Sequence, residues 1–190
     1  MSVLGGVDIL VNSAGIFTPQ RSWLSTSAQR WNEIYNINVV SMVRMLQLVI
    51  PPMKATGWGR IIQISSASAT QPPEIGPDYS ATKAAIVNMT VSLSKELAGT
   101  GITVNTVSPG PIVTPSFQQL FGEMAGSEGQ STHWDQIEKN LLKEKFRTPS
   151  GRLGRVEDVG NAVAFLASPL AGFVNGANIP VDGGLVEQSH

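Results

Sequence analysis

Short apolar segments rich in β-branched residues alternate with long helical patterns, and this alternation constrains the fold more than any other feature of the sequence. We predict strands at residues 8–12, 60–65, 102–107 and 177–181. We predict helices at residues 27–53, 78–98 and 157–167. Such an alternation is typical of α/β domains built on a parallel sheet. The sequence therefore predicts one domain over residues 1–190.

Local stop signals set the expected ends of these elements. Pro51, Pro52 and Gly57 are expected to end the first helix, because proline interrupts a helix and glycine favours its C-terminal cap. Between residues 111 and 150 the periodicity weakens, and residues 122–132 are rich in Gly, Ser, Gln and Glu. We expect those eleven positions to form a mobile surface loop.

Composition excludes several classes of function. The net charge is −1, which gives no electrostatic basis for binding nucleic acid or an anionic membrane. The chain has no cysteine, and His133 and His190 are far apart in sequence, so we expect no metal site, no disulfide and no Ser-His-Asp triad. No apolar run approaches membrane-spanning length and no signal segment is evident, so the expected compartment is the cytoplasm.

A tyrosine and a lysine four residues apart are the strongest candidates for chemistry. Tyr79 and Lys83 begin a predicted helix, and this spacing puts their side chains on one face. An isolated tyrosine has a pKa of about 10, and a neighbouring ammonium should lower that pKa toward useful proton transfer. The hydroxyl of Ser66, after the preceding strand, could hold a substrate oxygen against Tyr79. Proton transfer at a carbinol or carbonyl oxygen needs a hydride partner, so a nicotinamide is implied.

Simpler interpretations remain open for each of these residues. A Tyr-x-x-x-Lys pattern arises by chance at roughly one position in several hundred. Ser65 competes with Ser66, and Asn38 could be a polar residue on a helix surface. Pro109 and Gly110 could be no more than a turn that ends a strand.

Several motifs in order and spacing give the pattern specificity. They comprise Asn12-Ser13-Ala14-Gly15 after a strand, Asn38 inside a helical tract, residues 59–66 before the Tyr79 helix, residues 105–114 after it, and the later segments 152–155, 157–159 and 181–184. Together they resemble the short-chain dehydrogenase/reductase family over essentially the whole chain.

The resemblance implies a role for each matching residue. Tyr79 is similar to the family's general acid/base, Lys83 to its ribose-binding lysine, Ser66 to the serine that orients the substrate oxygen, and Asn38 to the helix-interrupting asparagine of a proton relay. The matching cofactor-binding positions are Asn12, Ala14, Gly15, Tyr79, Lys83, Pro109, Gly110, Ile112 and Thr114. Ser13 departs from the asparagine that is commoner in the family.

One element of the family pattern is missing. None of the 19 glycines forms the Thr-Gly-x-x-x-Gly-x-Gly turn that cradles the pyrophosphate after the first strand. The resemblance therefore predicts an N-terminally truncated, Rossmann-like parallel sheet of about four strands with flanking helices. We expect the strand at residues 8–12 to be an exposed edge and most dinucleotide affinity to be lost. The choice between NAD and NADP cannot be read, because the residue that selects between them lies in the missing part.

Three functional hypotheses follow from the resemblance. The first is an NAD(P)-dependent oxidoreductase acting on a secondary alcohol or ketone, with residues 111–150 as a lid whose apolar content suggests an apolar substrate. The second is a non-catalytic oligomerisation or interaction module. In the third, another chain supplies the missing strands. The family's long helices commonly form dimer interfaces, which implies a homodimer or homotetramer.

Overall fold

The computed structural model describes residues 6–17 and 22–187, which form alternating strands and helices. In chain order the elements are β1 (Ile9–Asn12), α1 (Ala28–Tyr35), α2 (Ser41–Thr56), β2 (Gly59–Ile64), α3 (Pro77–Glu96), β3 (Ile102–Pro109), β4 (Ile112–Val113), α4 (Pro115–Ser127), α5 (Trp134–Glu144), β5 (Gly154–Arg155), α6 (Val156–Ala167) and β6 (Asn178–Val181).

The main sheet has four parallel strands in the order β1-β2-β3-β6. Its registers pair Asn12 with Gln63 and Gln63 with Thr106, so polar residues gather at the carboxyl ends of the strands. A separate parallel pair joins β4 to β5. The predicted α/β class and the four predicted strands are therefore confirmed.

Helices cover both faces of the sheet. On one face, α2 contributes Leu46, Val49 and Met53 to a core with Ile61 and Val104. On the other face, α6 packs Leu166 against Ile62 and Val107. Because β2 and β3 are covered on both faces, their residues are almost all buried, as parallel strands require. The flanking helices of the prediction are confirmed.

The predicted helix over residues 27–53 is interrupted. Ser27 caps α1 by accepting a hydrogen bond from the Arg30 backbone N–H, and a π-helical segment, Asn36–Val40, then separates α1 from α2. Pro51 and Pro52 lie inside α2, so the expectation that they end the helix is wrong. Gly57 ends it instead, in the left-handed conformation with φ of 70° that glycine adopts without strain.

The helical stretch Ala28–Thr56 has 29 residues and a window of mean hydropathy 1.3. By length and composition it could cross a membrane, so the statement that no run approaches that length is wrong. Leu46, Val49 and Met53, from its second half, pack against the sheet. A helix in the core of a soluble protein can have the same length and hydropathy, so the stretch is weak evidence for a membrane span.

Residues 111–150 are more ordered than the sequence predicts. Residues 122–127 belong to α4, and only residues 128–133 connect it to α5, so the expected loop over 122–132 is wrong for its first half. Thr114 caps α4 and Pro115 occupies its first turn. Burial of Phe121 and Ala125 against Ile137 in α5 then outweighs the low helix propensity of the glycines.

Candidate active site

The first turns of α3 place Tyr79 and Lys83 on one helix face, as their spacing predicts. The Lys83 Nζ atom lies 5.5 Å from the centre of the Tyr79 ring. Helix α3 begins at Pro77, after Gly76 in the left-handed conformation. Lys83 is 5% exposed, and Tyr79 is partly buried. The two groups therefore share one environment with little access to water.

Ser66 lies after the carboxyl end of β2, beside Tyr79. Its Oγ accepts hydrogen bonds from the Ser68 backbone N–H at 3.2 Å and from the Ser68 hydroxyl at 3.0 Å. Burial raises the pKa of the Tyr79 phenol, and a hydrogen bond with the Ser66 side chain acts in the opposite direction. The structure thus brings the hydroxyls of Ser66 and Tyr79 together.

The neighbouring Ser65 has a different environment. Its Oγ donates a hydrogen bond of 2.8 Å to the backbone carbonyl of Lys83, and the residue is buried. This contact ties the end of β2 to α3. The geometry favours Ser66 as the hydroxyl available to a substrate and gives Ser65 a structural contact.

Lys83 is held with two of its hydrogen-bond donors free. Its Nζ donates to the Ile64 carbonyl at 2.9 Å, and no other hydrogen bond from it is found among the described residues. An ammonium has three donors, so two remain for a ligand. Burial lowers the pKa of Lys83 to about 8. The ammonium is thus easier to deprotonate than an exposed lysine.

The direction of the Tyr79 pKa differs from the sequence-based expectation. The sequence predicts a pKa lowered by the lysine, whereas the structure shows one raised by burial. The physical reason is that removing the phenolate from water costs free energy, and here this outweighs the favourable contacts. The opposing hydrogen bond comes from Ser66 rather than from Lys83.

Asn38 lies in the π-helical segment and is completely buried. Its Oδ1 accepts from the Ile16 backbone N–H at 2.8 Å, and its Nδ2 donates to the Ile16 carbonyl at 3.0 Å and to the Thr82 hydroxyl at 3.1 Å. The side chain therefore joins the loop after β1 to α3. It is not a surface residue of a helix.

The residues after three strand ends line a cavity of about 390 Å³. Among the predicted site residues, those that line it are Gly15, Ser66, Tyr79, Lys83, Pro109, Gly110, Ile112 and Thr114. The Thr114 hydroxyl also accepts from the Phe117 backbone N–H, which caps α4. Three predicted residues do not line the cavity, namely Asn12, Ala14 and Asn38. Asn12 instead donates to the Gln63 side chain inside the sheet, at 2.9 Å.

Glycine at position 15 keeps the space beside the lysine open. A Cβ atom there would lie 3.3 Å from Asn38 Oδ1 and 3.6 Å from Lys83 Nζ. A side chain growing from that position would therefore crowd the free donors of Lys83. This is a physical reason for a glycine at the predicted cofactor turn.

A second cavity, of about 560 Å³, adjoins the first. Both are lined by Ser66, Tyr79, Ile112 and Phe17, and the second extends to Phe117 and Phe146 beside the α4 and α5 helices. The Phe17 ring meets the Tyr79 ring edge-on, with centres 4.9 Å apart. Sequence reasoning missed Phe17 and Ser68. Only the tertiary structure brings Phe17 to Tyr79, although the run of serines after β2 was a local signal for Ser68.

Comparisons with known proteins identify the family of this chain. The family model for enoyl-(acyl carrier protein) reductases matches residues 1–186. Nodulation protein G of Azospirillum brasilense is 36% identical over 182 residues, which are 96% of this chain and 67% of that protein. The 3-oxoacyl-[acyl-carrier-protein] reductase FabG of Escherichia coli is 36% identical, over 95% of this chain and 67% of its own length.

Solved structures give the same result. The L-sorbose reductase of Gluconobacter frateurii, solved with NADPH and L-sorbose, superposes with a TM-score of 0.91 at 31% identity, over 99% of this chain and 70% of that one. An NADPH-bound short-chain oxidoreductase of Pseudomonas aeruginosa has a TM-score of 0.88 at 28% identity, over 99% of this chain and 69% of that one. This chain thus spans about two thirds of the length of its relatives. It belongs to the short-chain dehydrogenase/reductase family of oxidoreductases.

Proposed function

We propose that this chain uses Ser66, Tyr79 and Lys83 to interconvert a secondary alcohol and a ketone, with the nicotinamide end of NAD or NADP in the 390 Å³ cavity. The observation that carries the proposal is that these three side chains line one cavity, with the tyrosine ring within 5.5 Å of the lysine ammonium. Membership of an oxidoreductase family supports it.

The residues present fit the nicotinamide half of such a cofactor. Lys83 lines the cavity, and two of its N–H donors have no partner among the described residues, so they could bind the two hydroxyls of a ribose. Pro109, Gly110, Ile112 and Thr114 would flank the ring. The described residues contain no glycine-rich turn for the pyrophosphate, so we expect this chain alone to hold the dinucleotide weakly.

The proposed chemistry divides between cofactor and protein. A bound nicotinamide would supply or accept the hydride. In ketone reduction, Tyr79 gives its phenolic proton to the substrate oxygen, while the Ser66 hydroxyl holds that oxygen by a hydrogen bond. The phenol is protonated at neutral pH, and burial raises its pKa further; the Lys83 ammonium near the ring would stabilise the phenolate left after transfer. Asn38 fixes the loop that carries Gly15 beside this lysine.

Relatives support the cofactor class but leave the choice between NAD and NADP open. The L-sorbose reductase and the Pseudomonas aeruginosa oxidoreductase, both solved with NADPH, superpose on 99% of this chain. We propose a ketone or secondary alcohol as substrate because the NADPH-bound L-sorbose reductase and FabG are named as reductases of compounds with a ketone group.

A second candidate function is a non-catalytic oligomerisation module. The observation that favours it is the edge strand β1, whose Ile9 and Val11 are 44% and 40% exposed. Another copy of the chain, as in a homodimer or homotetramer, could cover such an edge.

Titration of the purified 190-residue chain with NADH and NADPH, followed by turnover assays on a panel of aliphatic and aromatic ketones, separates the two functions. The enzymatic proposal predicts saturable binding of at least one dinucleotide and reduction of at least one ketone. Binding of neither dinucleotide at millimolar concentration, together with stable oligomers, would favour the module.

A further inference from the structure

Among the described residues, one cationic side chain lines the larger cavity. This cavity is lined mainly by apolar groups from several segments of the chain, which include Pro72, Ile75, Phe117, Phe146 and Leu185. Lys145, at the C-terminal end of α5, is the only formally charged residue among its described lining residues. No aspartate or glutamate of the described chain lines this cavity.

The ammonium of Lys145 has no carboxylate partner within the described residues. It lies instead 5.0 Å from the centre of the Phe121 ring and 6.0 Å from that of Phe146. The Phe121 and Phe146 rings therefore hold the ammonium by cation–π contacts at the border of the apolar cavity. Such contacts leave the N–H donors of the ammonium available for a ligand. Glu128 and Glu144 line a different cavity, of about 170 Å³, which Lys145 also borders.

The catalytic hydroxyls lie on another wall of the larger cavity. Ser66 and Tyr79 come from the end of β2 and the start of α3, whereas Lys145 belongs to the wall made by α4 and α5. A substrate bound between these walls would place its oxygen at Tyr79, its body against proline and phenylalanine side chains, and any anionic group at Lys145.

We propose that the substrate is a carboxylate-bearing apolar ketone or secondary alcohol, and that Lys145 binds its carboxylate; this proposal rests on the proposed function for the identity of the reacting group. A single lysine suits a singly charged group, because phosphate is more often held by arginine or by several donors. Apart from Lys145, every polar side chain that lines the cavity comes from residues 66–80. The rest of the lining therefore disfavours a polyhydroxylated substrate, whose hydroxyls would lose hydrogen bonds to water there.

A pair of matched probes tests this site without requiring turnover. The sodium salt of 7-oxooctanoic acid and its methyl ester differ in charge but share the ketone and the apolar body. Their dissociation constants are measured by calorimetry on the full chain, on Lys145→Gln and on Lys139→Gln. Lys139 is an exposed lysine of the same helix that lines neither cavity, so it is the matched control.

We expect the carboxylate to bind up to about fivefold more tightly than the ester, since an exposed ion pair contributes up to about 1 kcal/mol. Lys145→Gln should remove this preference, while Lys139→Gln should keep it. Equal affinity for the two probes, an unchanged preference in Lys145→Gln, or no binding of either probe would overturn the proposal. Turnover of the two probes distinguishes failure of this inference from failure of the proposed function. If the carboxylate binds through Lys145 but is not reduced, only the proposed function is contradicted. If both probes are reduced with equal efficiency, only this inference is contradicted.

Discussion

Two adjacent serines, Ser65 and Ser66, differ in environment, and we therefore propose a different role for each. Both line the 390 Å³ cavity, but only Ser66 also lines the larger cavity beside Tyr79, whereas the Ser65 hydroxyl donates a hydrogen bond to the Lys83 carbonyl. We predict that Ser66→Ala lowers kcat about a hundredfold, because one hydrogen bond to the substrate oxygen is lost, and changes the free energy of unfolding by less than about 1 kcal/mol. Ketone reduction assays and urea denaturation measure the two quantities.

Ser65→Ala is the matched control for that substitution. Its loss of a buried hydrogen bond should lower the free energy of unfolding by about 1 kcal/mol or more, with kcat reduced by less than about tenfold. The assignment of Ser66 is wrong if Ser65→Ala lowers kcat about a hundredfold and Ser66→Ala lowers mainly the free energy of unfolding.

The lowered pKa of Lys83 makes the free energy of unfolding depend on pH in the alkaline range. Burial lowers its pKa from 10.5 to about 8, so between these values the unfolded chain binds more protons than the folded chain. The free energy of unfolding should therefore gain a positive contribution as pH rises from about 8 toward 10. We predict that Lys83→Met abolishes this contribution, measured as a flatter pH dependence than that of the wild-type protein in urea denaturation. Identical slopes in the two proteins would contradict the lowered pKa.

Some of the site can be predicted from sequence and some cannot, for a simple geometric reason. Tyr79 and Lys83 lie in one helix, so their spacing alone places them on one face. Phe17 reaches Tyr79 across 62 positions of sequence, and Lys145 reaches the same cavity from α5, so only tertiary packing unites them. The direction of the Tyr79 pKa also depends on burial, which the spacing does not report.

At the scale of elements, an ion pair joins α1 to the start of α3. Arg30 Nε lies 3.6 Å from Asp78 Oδ2, and the Asp78 side chain is 2% exposed. We predict that Asp78→Ala lowers the free energy of unfolding by about 3 kcal/mol or more, because it leaves the Arg30 charge without its buried partner. Urea denaturation monitored by circular dichroism measures the change.

The control for this pair is the second carboxylate near the same arginine. Glu33 is half exposed, 3.7 Å from Arg30, so Glu33→Ala should change stability by less than about 1 kcal/mol. Equal effects of Asp78→Ala and Glu33→Ala would show that the buried pair does not join the two helices.

The strands were easier to predict than the helices around the second cavity. Each predicted strand agrees with an observed one to within about two residues, because β-branched runs such as Ile102 to Val107 leave little ambiguity. The α4 helix was partly missed because Gly122, Gly126 and the polar residues around them hid the apolar spacing of Phe117, Phe121 and Met124. The prolines inside α2 show tertiary packing overriding a local stop signal.

For the whole molecule, the sheet edge at β1 is the feature with the clearest consequence in solution. No described strand pairs with β1 on the side away from β2, and the Ile9 and Val11 side chains of this strand are exposed on one face of the sheet. We predict that the 190-residue chain self-associates with rising concentration, and that Val11→Lys reduces this association, because a charged residue on an edge opposes further pairing. Sedimentation velocity over a concentration series measures it.

Val91→Lys is the control, because Val91 is 38% exposed on α3, away from that edge. If Val91→Lys weakens the self-association and Val11→Lys does not, the contact lies on the helical face and not at the sheet edge. A wild-type chain that stays monomeric at all concentrations would contradict the prediction.

The most direct test of the proposed chemistry compares wild type with Tyr79→Phe in two measurements on the same preparations, dinucleotide affinity and ketone reduction. Phenylalanine keeps the ring against Phe17 and removes only the hydroxyl. We predict that Kd for the dinucleotide changes less than about threefold, while kcat falls by about 10²- to 10⁴-fold, the contribution of a positioned general acid. Turnover in Tyr79→Phe equal to that of the wild-type chain, or a wild-type chain that binds the dinucleotide and reduces no ketone, would contradict it.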